Sequence, residues 1–229
     1  MTPHRWLYTL ALALALPAVA DEPFPGLQSI QITDYGLTGT IFYDPKISQV
    51  IRKPLNQEEA DQGAPLVTRV IRTKIDRTKD EEVWIDYDEG PSEDPEIVVT
   101  RVGAEESAGY VFGLNFYIPG TGAIYASGHT DTMFDTRRKY VLEGNKLVEV
   151  KQPYYWVGLE SKTLKDVALL STKGGKEVVA RLPKGSALTV VLSEEDWYLV
   201  KTPFGLMGWL KVDVTQQAEV IEGLFFRGD

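Results

Sequence analysis

The chain has 229 residues with 33 acidic and 24 basic side chains, two histidines and no cysteine. Without thiols there can be no disulfide, no thiolate metal centre, no cysteine nucleophile and no lipid anchor on cysteine. A formal charge of −9 provides no basic stripe for a phosphate backbone, so nucleic acid is not an expected partner.

His4 and Arg5 form a short positive region, and Leu7 to Leu16 is an apolar run too short to span a bilayer. Ala18-Val19-Ala20 then places small residues where a signal peptidase reads. Residues 1–20 are expected to be a signal peptide cleaved before Asp21. The product is expected to be periplasmic or secreted, with no membrane insertion after cleavage. The remaining 209 residues are enough for a hydrophobic core that needs no disulfides. Their charge is uneven. Residues 21–154 hold 23 acidic and 14 basic side chains, whereas residues 155–215 hold 7 and 8.

Helical periodicity is scarce. Asn56 to Gln62 reads as one or two turns, with Asn56 as the cap and Glu58 and Glu59 in the first turn. Elsewhere the pattern predicts strands over 28–33, 38–43, 67–75, 82–87, 96–102, 110–118, 123–127, 133–142 and 146–151. Within 82–87, Val83 and Ile85 fall on one face and Trp84 and Asp86 on the other. Gly90-Pro91, Gly120-Thr121-Gly122 and Gly144-Asn145 supply the turns between them. The basic runs Arg72/Lys74/Arg77/Lys79 and Arg137-Arg138-Lys139 read as solvated strand faces beside carboxylates. Short strands with turns every eight to twelve residues predict an antiparallel sandwich or barrel for residues 21–154. Pro153 ends one strand before an aromatic run opens the next, which places a boundary near 153–160.

The C-terminal part has the most specific pattern. Leu182-Pro183-Lys184-Gly185-Ser186 is a tight turn leading into the alternating run Ala187 to Leu192. Trp197-Tyr198 opens a strand, Pro203-Phe204-Gly205 turns it, and Gly208-Trp209-Leu210 opens the next. In that order these elements resemble the bacterial SH3-like domain, over about residues 155–213. The resemblance implies a small β-barrel, followed here by a tail at 214–229, and a recognition module at the cell wall. It also implies that Trp209 packs in the core while Trp197, Tyr198 and Phe204 border a ligand groove. For Trp197 the alternative of simply filling the barrel stays open.

Catalytic inventories are thin. After signal removal the one histidine is His129, in Ser127-Gly128-His129-Thr130-Asp131, too compact to form a triad by itself, and no Gly-x-Ser-x-Gly elbow is present. Zinc hydrolases draw on two or three histidines. Acids cluster at Asp80-Glu81-Glu82, Asp86/Asp88/Glu89 and Glu93-Asp94/Glu96, as solvated loops, as a calcium site without EF-hand spacing, or as a pair for glycoside hydrolysis. The terminal Arg227-Gly228-Asp229 matches an adhesion tripeptide, a match of three residues that arises readily by chance. Leu224-Phe225-Phe226 before it reads as a segment docked on the body.

The sequence therefore predicts an exported, all-β, two-domain protein with no enzymatic activity, no cofactor and no metal. Peptidoglycan or a wall-associated envelope protein is the expected ligand of Trp197, Tyr198 and Phe204. Two alternatives remain: an acidic inhibitor of a cationic wall-degrading enzyme, acting through loop 86–96, or a carboxylate-dependent hydrolase targeted by the SH3-like module.

Overall fold

In the computed structural model the described residues are 23–34, 37–90, 94–128, 132–213 and 219–226. Strands β1 (Gln28–Asp34) and β2 (Leu37–Tyr43) pair antiparallel. The edge strand β3 (Ser48–Pro54) follows, then one helical turn, α1 (Gln57–Ala60), and strand β4 (Val67–Thr73). Next come β5 (Val83–Asp88), β6 (Glu96–Arg101) and β7 (Gly109–Phe112). Strands β8 (Asn115–Ile118), β9 (Ile124–Ser127), β10 (Arg138–Glu143) and β11 (Lys146–Glu149) complete this part.

Two sheets result, in the orders β1-β2-β8-β9-β10-β11 and β3-β4-β5-β6-β7. They bury their inner faces in one shared core. Ile41, Phe116, Ile118 and Ile124 of the first sheet join Ile71, Ile85, Tyr87 and Ile97 of the second. Each such buried side chain contributes roughly 1.5–3 kcal/mol. Gly39 is required by this packing, because a Cβ there would lie 2.3 Å from the Tyr87 ring. The molecule is an all-β, sandwich-like fold.

Four details depart from the strand reading, the first being that the strand expected over 133–142 begins only at Arg138, because Met133 and Phe134 are buried in a second core. The stretch 110–118 splits at Gly113, with β7 in the second sheet and β8 in the first. β8 runs parallel to β2, since the whole second sheet is inserted between these two strands and serves as the crossover. β3 escapes the sequence pattern because it is a polar, mostly exposed edge ending in Pro54. Asn56 stands at the start of α1 without capping it: its side chain accepts the Val67 N–H and donates to the Pro65 carbonyl, both at 2.8 Å, closing the loop into β4. The first basic run behaves as expected. Arg72 pairs with Glu82, Lys74 with Asp80, Arg77 with Asp44 and Lys79 with Asp76.

The third sheet contains β12 (Tyr155–Lys162), β13 (Val167–Leu170), β14 (Val178–Leu182), β15 (Ala187–Glu194), β16 (Trp197–Lys201) and β17 (Met207–Lys211). Its order is β12-β15-β16-β17-β13-β14, and the ladder is open at β12 and β14. Beyond β12, Thr163 donates its N–H to Ser186 and accepts that of Gly185, tying this end to the Lys184-Gly185 turn. Leu169, Val190, Tyr198 and Val200 form a second core. Met133 and Phe134, from the segment before β10, belong to it, as do Val220, Ile221 and Leu224. The C-terminal segment is docked through Ile221, which bridges Thr163, Val220, whose carbonyl accepts the Leu164 N–H, and the buried Leu224; Phe225 and Phe226, expected to dock with it, are exposed.

Candidate binding face

Strand alternation decides where each aromatic of the β16–β17 hairpin goes. Tyr198, Val200, Gly208 and Leu210 face the core; Trp197, Leu199, Trp209 and Lys211 face out. Gly208 admits this pairing because a Cβ there would meet the Leu169 Cβ at 2.8 Å.

The three predicted ligand residues therefore do not line one groove. Tyr198 is 2% exposed, sits edge-on to Phe134 at 6.2 Å between centroids, and packs in the core. Burial, with Asp196 adding to it, pushes its hydroxyl up to about 12. It forms the floor of a cleft of about 760 Å³ bordered by Tyr154, Tyr155 and Phe226. Trp197 is half-buried on the opposite face. Phe204 is 89% exposed at the hairpin tip, beyond the end of β16 at Lys201, which is itself about 13 Å along the strand from Trp197 at 3.3 Å per residue. Neighbours in a strand diverge, and a hairpin tip lies a full strand length from its base. Trp209, read as core, is also on the outside, beneath the Lys173 ammonium at 5.2 Å.

What the outer face does bring together is a row that sequence reasoning missed. Trp156 pairs with Leu192, Leu192 with Leu199, Leu199 with Trp209, Trp209 with Leu170 and Leu170 with Val178. Directly opposed residues share a face, so six apolar side chains cross all six strands on the side away from the core. Trp197 stands beside the row, opposite Glu194 on one strand and Lys211 on the other. An ion pair between Glu194 and Lys173 forms its polar edge. Trp156 is 58% exposed yet held in place, because its indole lies over Gly158. A Cβ on Gly158 would fall 2.5 Å from the indole nitrogen, and its φ of 63° suits glycine. The available signal was the alternation around Trp156 and Trp209; the partner strands that complete the row are set by register.

No family model, curated protein or solved structure matches the chain. The functional reading therefore rests on these surfaces.

The acidic stretch is more engaged than a solvated loop. Asp86 takes two hydrogen bonds from Arg69, at 2.8 and 3.0 Å, and that guanidinium lies 4.6 Å over Trp84. Asp88 accepts the Gly90 N–H. Glu89 is buried, and its Oε1 has no hydrogen-bond partner among the described residues. Glu96 faces Asp88 across the ladder; burial, with the Asp88 charge adding to it, raises its carboxyl to about 7. Among the described residues no group of three or more acids or histidines is arranged to hold a metal. Residues 91–93, His129, Asp131 and the terminal tripeptide lie outside the described residues.

Proposed function

We propose that this chain is an exported, non-catalytic binding protein of the bacterial cell envelope whose C-terminal SH3-like module recognises peptidoglycan. The observation that carries the reading is the row from Trp156 to Val178. It places two indoles, Trp156 exposed and Trp209 half-buried, with a third beside them, on the sheet face turned away from the core, where flat rings offer apolar area to sugar rings at little entropic cost. The turn at Lys184-Gly185 and the consecutive β15–β16–β17 meander support the SH3-like reading. The row replaces the Trp197, Tyr198 and Phe204 groove as the surface of recognition, with Trp197 retained at its edge.

The test is sedimentation of the protein with purified peptidoglycan sacculi, alongside dye release from the same sacculi. Co-sedimentation without release is expected. A double Trp156→Ala, Trp209→Ala variant should bind roughly tenfold more weakly, as expected for truncated aromatic anchors, with unchanged circular dichroism. Dye release, or failure to co-sediment, overturns the proposal; the latter would leave an envelope protein as the partner to seek.

A further inference from the structure

The second basic run has different surroundings from the first. On the outer face of the first sheet, Phe42 pairs with Tyr117, Tyr117 with Tyr125, and Tyr125 with Lys139. Phe42 and Tyr117 stack at 4.5 Å, and Phe24 folds over the row, 5.6 Å from Tyr117 and 4.7 Å from Tyr125. Phe24 is tilted by 47° and 36° to the two rings, so the three form a wedge and not a closed stack. Beside them opens a pocket of about 780 Å³, also bordered by Arg137, Arg138, Lys139 and Lys151. Gln152 donates to the Arg137 carbonyl at 3.1 Å, and the Val150 N–H donates to the Lys139 carbonyl at 2.8 Å. These bonds fix the 150–153 strap as the far wall.

Among the described residues no carboxylate lines this pocket, although residues 21–154 hold 23 acids against 14 bases. Asp135 stands just outside the lining, where it accepts the Gly128 N–H at 2.6 Å. Arg137, Lys139 and Lys151 beside three aromatic rings form a local reversal of charge in an acidic protein; Arg138, paired with the buried Ala126, turns to the other face of its strand. A neutral sugar would leave the cations without a counter-charge. A bare inorganic anion would leave the rings unused. A long polyanion would meet the repulsion of a chain at −9. The volume suits a small molecule.

We infer that this pocket binds an anionic sugar, the ring lying against Phe24 and Tyr125 and a carboxylate or phosphate held by Arg137, Lys139 and Lys151. This site is separate from the tryptophan row and does not depend on it. Titration calorimetry of the whole chain tests it, with N-acetylmuramic acid and glucose 1-phosphate as carboxylate and phosphate probes. N-acetylglucosamine, glucose and inorganic phosphate are the controls. At least one anionic sugar should bind roughly tenfold more tightly than its neutral counterpart and than inorganic phosphate. An Arg137→Gln, Lys139→Gln variant should lose about tenfold, and Tyr125→Leu should lose a similar factor. If Tyr125→Leu does not fold, Phe24→Ala, at the edge of the fold, reads the same stacking. Equal affinity for inorganic phosphate, no binding of either anionic sugar at millimolar concentration, or binding indifferent to the charge variant would overturn the assignment. The comparison of the two anionic sugars tells carboxylate from phosphate.

Discussion

The outer faces of the first and third sheets use one device to different ends. Each presents a cross-strand row of aromatic and apolar side chains away from its core. On the third sheet the row from Trp156 to Val178 is itself apolar, and the one cation over it, Lys173 above Trp209, is paired with Glu194. On the first, the row ends at Lys139, with Arg137 and Lys151 beside it. The same strand physics thus yields a flat apolar platform in one place and a charged pocket in the other. What separates them is which residue the last strand contributes and what folds over the row. Phe24 covers the first; the edge of the third is left to Trp156.

The largest effect should come from glycines that permit each core. Gly39→Ala drives a Cβ into the Tyr87 ring, and Gly208→Ala drives one against Leu169. Each should cost about 2–3 kcal/mol. If the two cores act separately, each variant should lower the urea midpoint of one part while near-UV signals of the other persist. A single shared transition in both variants would show that Met133 and Phe134 couple the cores into one unit.

A smaller effect is expected on the platform itself. Trp209→Ala should weaken binding to sacculi roughly tenfold while costing about 1 kcal/mol or less of stability, because this side chain lies outside the core. The Glu96 carboxyl gives a third contrast, on the outer face of the second sheet. Its proton is retained to about pH 7, against an ordinary value of 4.5. The folded state therefore binds a proton that the unfolded chain releases, and stability falls as pH rises between these values. With its partial exposure discounted, the loss should be about 1 kcal/mol. Glu96→Gln should flatten this slope in chemical denaturation; a variant with the parent slope would refute the assignment. The least change is expected of Phe204→Ala, within about 0.5 kcal/mol and without loss of sacculus binding. Loss of binding in that variant alone would move the ligand site from the sheet face to the hairpin tip.

Much of the fold was legible locally. The Gly144-Asn145 turn joins Glu143 to Lys146 as predicted, and Val83 and Ile85 face the core while Trp84 does not. Those features depend on neighbours in sequence. β3 was not legible because its pairing, and not its composition, makes it a strand. The break at Gly113 was hidden for a related reason: residues 110–118 look like one strand until two sheets compete for them. The ligand residues fared similarly. Trp197, Tyr198 and Phe204 are close in sequence, yet alternation and the length of β16 send them to three places.

The sequence by itself determined the all-β class, the distribution of charge, the lack of thiol chemistry and the aromatic richness of residues 154–209. These follow from composition and from periodicity within single strands. Only the tertiary structure decided which aromatics share a surface. Cross-strand register joins Trp156 to Trp209 through Leu192 and Leu199, and Tyr125 to Lys139. Register is fixed by burying one face of each sheet, a constraint that no single strand contains.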